Sequence, residues 1–311
     1  GEQQQVEQGQ TRQHAEQRKD ACLAHNQREH MPGARTDRAQ DSHFPASLVK
    51  AVGVVGAGAW GTALATVSAR AGRDTLLWAR ESDVVESINR DHENTVFLPG
   101  QALDSNIRAT GDYADLASCD ALLLVVPAQH LRAALKELSP HVKPGTPAVI
   151  CSKGIEMTTL ELMSDVLAEG LAQAEPAVLS GPSHAEEVAR RIPTAVVLAC
   201  TDHELALALQ SVFMNERFRV YTGTDVVGVE LGAALKNVIA IACGMMTGAG
   251  YSENTRAALI TRGLDEMKAL AEALGGRRET VTGLSGIGDL TLTCSSTTSR
   301  TRTHSSSATA S

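Results

Sequence analysis

The segment at residues 51–78 leaves the chain few ways to fold. Residues 51–55 form a short apolar run, residues 59–71 read as a small-residue helix closed by Gly72, and residues 75–78 form a second apolar run. Between the first run and the helix lies Gly56-Ala57-Gly58-Ala59-Trp60-Gly61. A GxGxxG hexapeptide alone is a weak signal, but here it leaves a strand and opens a helix, which predicts a βαβ unit. In that setting Gly56 permits the tight turn, Gly58 lets a ligand approach the backbone, and Gly61 lets helix pack closely on strand. The free N–H groups at the helix start attract phosphate, so the pattern points to a dinucleotide. A tight turn with no ligand is the plainer alternative.

The alternation continues along the chain. Apolar runs at 121–126, 148–151, 177–179, 194–200 and 218–221 read as strands, and 130–138, 159–169 and 203–213 as helices. Near-continuous Val, Leu and Ala strands separated by helices predict a parallel sheet covered on both faces. The expected fold class is α/β, a Rossmann-type doubly wound parallel sheet over residues 49–222. After about residue 224 the strand pattern stops, and 225–246 and 255–274 read as long helices, which predicts an all-α second domain over residues 223–294. Residues 1–48, rich in Gln, Glu, Arg, His and Asp, lack apolar periodicity and are expected to be a disordered polar leader, with Met31 as a candidate start. Residues 295–311, mostly Ser and Thr, cannot build a core.

A formal charge of -8 argues against a nucleic-acid partner, because binding a polyanion requires a cationic face. A small anionic substrate remains open if Lys and Arg cluster locally. The six cysteines form no CxxC pair and have no His at metal-ligand spacing, so neither a zinc site nor a disulfide framework is expected. The amino end lacks the apolar segment of a secretory signal and no apolar run approaches bilayer length, which predicts a cytoplasmic protein without membrane insertion.

Three places could supply the cationic cluster. In an open parallel sheet, ligands sit beyond the carboxyl ends of the strands, where Ser152-Lys153-Gly154 and Ser180-Gly181-Pro182-Ser183 both fall. Lys153 is the cation among them, although an exposed loop lysine would read the same way. Lys236, followed by Asn237, interrupts a helix that is apolar nearly all round. Burial there is costly unless the lysine is paired or deprotonated, and a lysine with lowered pKa is a suitable proton acceptor for an alcohol. A structural lysine reaching for solvent is the other reading. Finally, residues 283–290 form a glycine-rich turn presenting Asp289, and Ser299-Arg300 adds a hydroxyl and a guanidinium suited to a phosphate monoester. At the end of the second strand Arg80 stands where an acidic residue would select NAD, which favours NADP(H), while the neighbouring Glu81 keeps NAD(H) in play.

The segments GAGAWGTALA, NRDHENTVFLPG, VVPAQHLR, SKGIE, LSGPSHAEEV, GVELGAALKNVIAIACG and GLSGIGDLTLTC occur in this order between about residues 50 and 302. Together they resemble the bacterial type of NAD(P)-dependent glycerol-3-phosphate dehydrogenase. The resemblance implies reduction of dihydroxyacetone phosphate to sn-glycerol 3-phosphate for phospholipid synthesis, and a helical second domain like that of 6-phosphogluconate dehydrogenase. It implies that Lys236 is the proton acceptor, and that Lys153, Gly181, Ser183, Asn237, Asp289, Ser299 and Arg300 contact substrate. Gly56, Gly58, Ala59, Trp60, Gly61, Arg80, Lys153, Ala185 and Arg300 would contact the cofactor. No metal is implied, and a homodimer is the expected assembly. The chain departs from the family pattern at Thr301, where Asn is usual, and in its Ser/Thr-rich end, where further helices are usual, so its helical domain is expected to be incomplete and its activity impaired. A related β-hydroxyacid dehydrogenase or ketopantoate reductase is the competing enzyme reading.

Overall fold

The computed structural model describes residues 49–295. Its elements run β1 (Ala51–Val55), α1 (Ala59–Arg70), β2 (Asp74–Trp78), α2 (Ser82–Asp91), β3 (Ile107–Thr110), β4 (Ala121–Leu124), α3 (Leu131–Leu138), β5 (Pro147–Ile150), α4 (Met163–Gly170), β6 (Glu175–Ser180), α5 (Ala185–Ala189), β7 (Thr194–Ala199), α6 (His203–Phe213) and β8 (Phe218–Gly223). Helices alone follow: α7 (Val226–Gly248), α8 (Glu253–Ala273), α9 (Arg278–Val281), a π-helical turn at Leu284–Gly288, and α10 (Asp289–Ser295).

The strands form one sheet in the order β3-β2-β1-β4-β5-β6-β7-β8. Its first six strands are mutually parallel in the doubly wound order expected of the βαβ start. The sheet is not parallel throughout, however: β7 runs antiparallel to β6, and β8 runs parallel to β7. The link from β6 to β7 carries only the five-residue α5, which lies against α1.

Both faces of the sheet are covered. Residues of α1, α2, α5 and α6, such as Leu64, Ile88, Val188 and Phe213, close one face over Val52, Val54 and Leu77. Leu131, Leu135 and Leu138 of α3 and Val166 and Leu167 of α4 close the other over Val55, Leu124 and Ile150. Val229 of α7 reaches into this second layer. Leu231, Ala240 and Cys243 of α7 instead build a separate helical core with Met267, Ala271, Val281, Leu290 and Cys294.

Contrary to the sequence expectation, one helix among the described residues is long and apolar enough to cross a bilayer: α7 has 23 residues and a mean hydropathy of 1.7 over its best window. Val, Ile, Leu and Ala raise that mean around two charged residues, Glu230 and Lys236, and half of the window is buried inside the protein. Each charge has a built partner. The Glu230 carboxylate accepts the backbone N–H of Ser164 at 2.9 Å and the Ser164 hydroxyl as well, so it caps α4, which has no side-chain cap of its own. Asp225 caps α7 through Gly228 N at 2.9 Å and accepts the N–H of Arg277 at 2.8 Å, tying in the segment that leads to α9.

Burial pushes the Glu230 carboxyl up from 4.5 to about 7, outweighing the Ser164 hydrogen bonds that pull it down. The folded protein therefore holds this proton more tightly than the unfolded chain does. Stability from this group is complete below pH 4.5, declines between 4.5 and 7, and levels off above. Glu230→Gln removes that slope. Denaturant unfolding across this range should show wild type losing stability relative to the variant as pH rises; a difference independent of pH would contradict the burial account.

Candidate active site

At the β1–α1 junction Gly56 adopts φ +113°, and its N–H donates to the Trp78 carbonyl at 3.1 Å, tying the turn to the end of β2. A Cβ on Gly61 would lie 1.8 Å from the Gly56 carbonyl oxygen, so helix and turn meet backbone to backbone. Gly58 is exposed, with nothing within 4 Å of where its Cβ would be. No side chain caps α1 and its first turn holds no acidic residue, which leaves the N–H groups of Ala59 and Trp60 open to an anion. The buried Trp60 Nε1 also has no hydrogen-bond partner among the described residues. Ala185 opens α5 beside α1. These residues fit the phosphates of a dinucleotide. Arg80, two residues past β2, is 81% exposed and pairs with Glu81 at 3.3 Å.

The cationic centre forms where β5, β6, α7 and α10 converge. Beyond β5, the Ser152 hydroxyl donates to the Val126 carbonyl and holds the strand ends together, and Lys153 follows. Lys153 Nζ donates to the Gly181 carbonyl at 3.1 Å and to Asp289 Oδ2 at 2.7 Å. Gly181 has φ +146°, and a Cβ there would lie 2.9 Å from the Val196 Cα, so another residue would be strained and crowded. Its carbonyl also accepts the Ser183 hydroxyl at 3.1 Å. From α7, Lys236 Nζ reaches Asp289 Oδ1 at 2.6 Å and donates to Thr293 Oγ1 at 2.9 Å. One buried carboxylate is thus shared by two ammonium groups. Burial, aided by the charge of Lys153, lowers the Lys236 pKa from 10.5 to about 8 despite the opposing pull of Asp289.

Asp289 reaches this position because glycines let backbones touch. A Cβ on Gly232 of α7 would sit 3.2 Å from the backbone of Gly286, and one on Gly286 would lie 1.9 Å from the Val281 carbonyl oxygen. The segment expected as a glycine-rich turn is a π-helical turn running into α10, and the glycines serve this close crossing.

Of the cations predicted to cluster, Lys153 and Lys236 do come together. Asn237 is half-buried, and its side chain makes no hydrogen bond among the described residues. Ser299, Arg300, Thr301, the leader and the Ser/Thr tail lie outside the described residues. Sequence reasoning missed Thr293, although it stands four residues after Asp289, the spacing that puts two side chains on one helix face. It also missed Arg132 of α3, whose guanidinium binds Glu156 at 2.9 Å, Glu161 at 2.8 Å and Glu169 at 2.6 Å and so fixes the loop leaving Lys153. That loop delays the expected helix from 159 to Met163, because Ile155 and Leu162 pair as an antiparallel bridge. Five cysteines in the described residues are free and buried, and no cluster of His, Cys, Asp and Glu there could hold a metal; Cys22 lies outside the described residues.

Two family models match the chain: NAD-dependent glycerol-3-phosphate dehydrogenase N-terminus over residues 51–206, and the corresponding C-terminus over residues 225–310. A glycerol-3-phosphate dehydrogenase (NAD(P)+) of Paramagnetospirillum magneticum is 59% identical over 252 residues, covering 81% of this chain and 92% of that one. Its counterpart from Caulobacter vibrioides is 58% identical over 80% of this chain and 75% of its own. The crystal structure of glycerol-3-phosphate dehydrogenase from Coxiella burnetii superimposes with a TM-score of 0.80 at 39% identity, covering 84% of this chain and 81% of that one. With both halves matched and more than half of the aligned residues identical to named relatives, the chain belongs to the NAD-dependent glycerol-3-phosphate dehydrogenase family.

Proposed function

We propose that this chain catalyses the reversible NAD(P)H-dependent reduction of dihydroxyacetone phosphate to sn-glycerol 3-phosphate, feeding glycerophospholipid synthesis. The observation that carries the reading is the Lys153–Asp289–Lys236 centre, two cations on one buried carboxylate beyond the strand ends of the sheet that also carries the phosphate-fitting turn. When bound, the nicotinamide supplies a hydride to the substrate's C2 in reduction and accepts it in oxidation. Lys236 handles the accompanying proton, giving it to the C2 oxygen during reduction and taking it from the C2 hydroxyl during oxidation. Asp289 keeps the Lys236 amine aimed and accommodates either protonation state. Lys153, with Gly181, Ser183, Asn237, Ser299 and Arg300, holds the phosphorylated substrate, while Gly56, Gly58, Ala59, Trp60, Gly61, Arg80 and Ala185 hold the cofactor.

The same reading divides the chain near residue 223 into a dinucleotide-binding part and a helical substrate part. It makes the protein a cytoplasmic enzyme that neither inserts into membranes nor binds nucleic acid. A homodimer is supported by Val238, Ile241 and Met245, which leave an exposed apolar stripe along α7.

Replacing Lys236 by Ala should lower turnover by roughly 10²- to 10⁴-fold, the usual contribution of a positioned acid-base group, with cofactor affinity nearly intact. In wild type, oxidation should rise with pH through about 8 as the amine loses its proton, and reduction should decline above it. A variant retaining a tenth of wild-type rate would contradict the assignment. For Arg80, a salt-bridged 2'-phosphate should favour NADPH over NADH by about tenfold or more, and Arg80→Asp should abolish or reverse that order in fluorescence titration. Equal affinities that the substitution leaves unchanged would mark Arg80 as a surface charge.

A further inference from the structure

The motif NRDHENTVFLPG contributes no residue to the site described above, yet its Asn94 is completely buried against the glycine-rich turn. Asn94 Nδ2 donates to the Ala57 carbonyl at 2.8 Å and to Thr62 Oγ1 at 2.8 Å, and the Thr62 hydroxyl lies 3.3 Å from the same carbonyl. On its other side Asn94 Oδ1 accepts the N–H of Phe97 at 3.0 Å, and its backbone carbonyl accepts that of Leu98 at 3.0 Å. The loop is anchored in turn by Ser87, whose hydroxyl donates to the Glu93 carbonyl at 2.7 Å, and by Glu93 Oε1, which accepts the N–H of Gly100 at 2.7 Å.

The bond to Ala57 has a geometric consequence. In a trans peptide the C=O and the following N–H point in opposite directions. With the Ala57 carbonyl drawn inward to Asn94, the Gly58 N–H is turned outward, where Gly58 is exposed and the space around its missing Cβ is open for 4 Å. Among the described residues that N–H has no acceptor.

We infer that Asn94 is a positioning residue for the cofactor: it fixes the Ala57–Gly58 peptide so that the Gly58 N–H meets the pyrophosphate without reorganisation on binding. This rests on reading the Gly56–Gly61 turn as the dinucleotide cradle. Without Asn94 the peptide is free to rotate, and a charge-assisted hydrogen bond then has to be bought at each binding event. The loss falls on cofactor affinity and spares the proton-transfer centre.

The test uses the full chain and two probes, NADPH and ADP-ribose, titrated against wild type and Asn94→Ala, with kcat and the KM for dihydroxyacetone phosphate measured at saturating NADPH. Kd for both probes should rise about tenfold or more, while kcat and that KM stay within about twofold. A folded variant with wild-type Kd values, or one in which kcat falls and Kd does not, overturns the role of Asn94. A wild type that binds neither probe overturns the cradle reading as well. Should Asn94→Ala fail to fold, amide NMR of wild type decides: on adding ADP-ribose the Gly58 amide should show one of the largest downfield shifts, and an unmoved Gly58 amide overturns the inference.

Discussion

A single carboxylate holds the molecule's two layers in working relation. Asp289 is 2% exposed, and its two oxygens face Lys153 from the sheet side and Lys236 from the helical side at 2.7 and 2.6 Å. Two ammonium groups this close, in surroundings of low dielectric, would repel strongly without the acid between them, and an uncompensated buried charge is among the costliest defects a fold can carry. The centre keeps one net positive charge within a chain whose formal charge is -8. That local reversal of sign is what a small phosphorylated anion requires.

The rest of the architecture serves this geometry. Gly232 and Gly286 let α7 and the π-helical turn cross at backbone distance, which places Asp289 opposite Lys236. Six residues earlier on α7, Glu230 caps α4 through Ser164, joining the helix that carries Lys236 to the segment that follows Lys153. Arg132 gathers Glu156, Glu161 and Glu169 and holds the intervening loop. α7 is therefore fixed by polar contacts at both Glu230 and Lys236, and its Leu231 and Ala233 pack between them. Rotating the helix would break both contacts at once, so the amine's position is stiff.

Much of this was legible in the sequence, for identifiable reasons. The βαβ start could be read because strand, glycine spacing and helix agree locally, and the sheet strands because both faces are buried and the residues are correspondingly apolar. Lys236 stood out as a charge on an apolar helix. What remained hidden depends on contacts between distant residues. β3 alternates Ile, Arg, Ala and Thr on an outer strand and shows no apolar run. The reversal at β7 shows only in its register with β6. The glycines of residues 283–288 looked like a turn because glycine marks both turns and close helix crossings, and only the partner across the gap distinguishes them. Glu230 and Arg132 carried no signal of their own because their partners lie 66 and 24 residues away in sequence.

Burial and a second cation make Lys236 a weak acid near neutrality, with Asp289 opposing them. The most direct test is an NMR titration of the Lys236 side chain, labelled at Cε, in wild type and in Lys153→Met. The wild-type midpoint should lie near 8 and move upward when the neighbouring positive charge is removed. A midpoint close to that of an ordinary exposed lysine, about 10.4, and insensitive to Lys153, would contradict it.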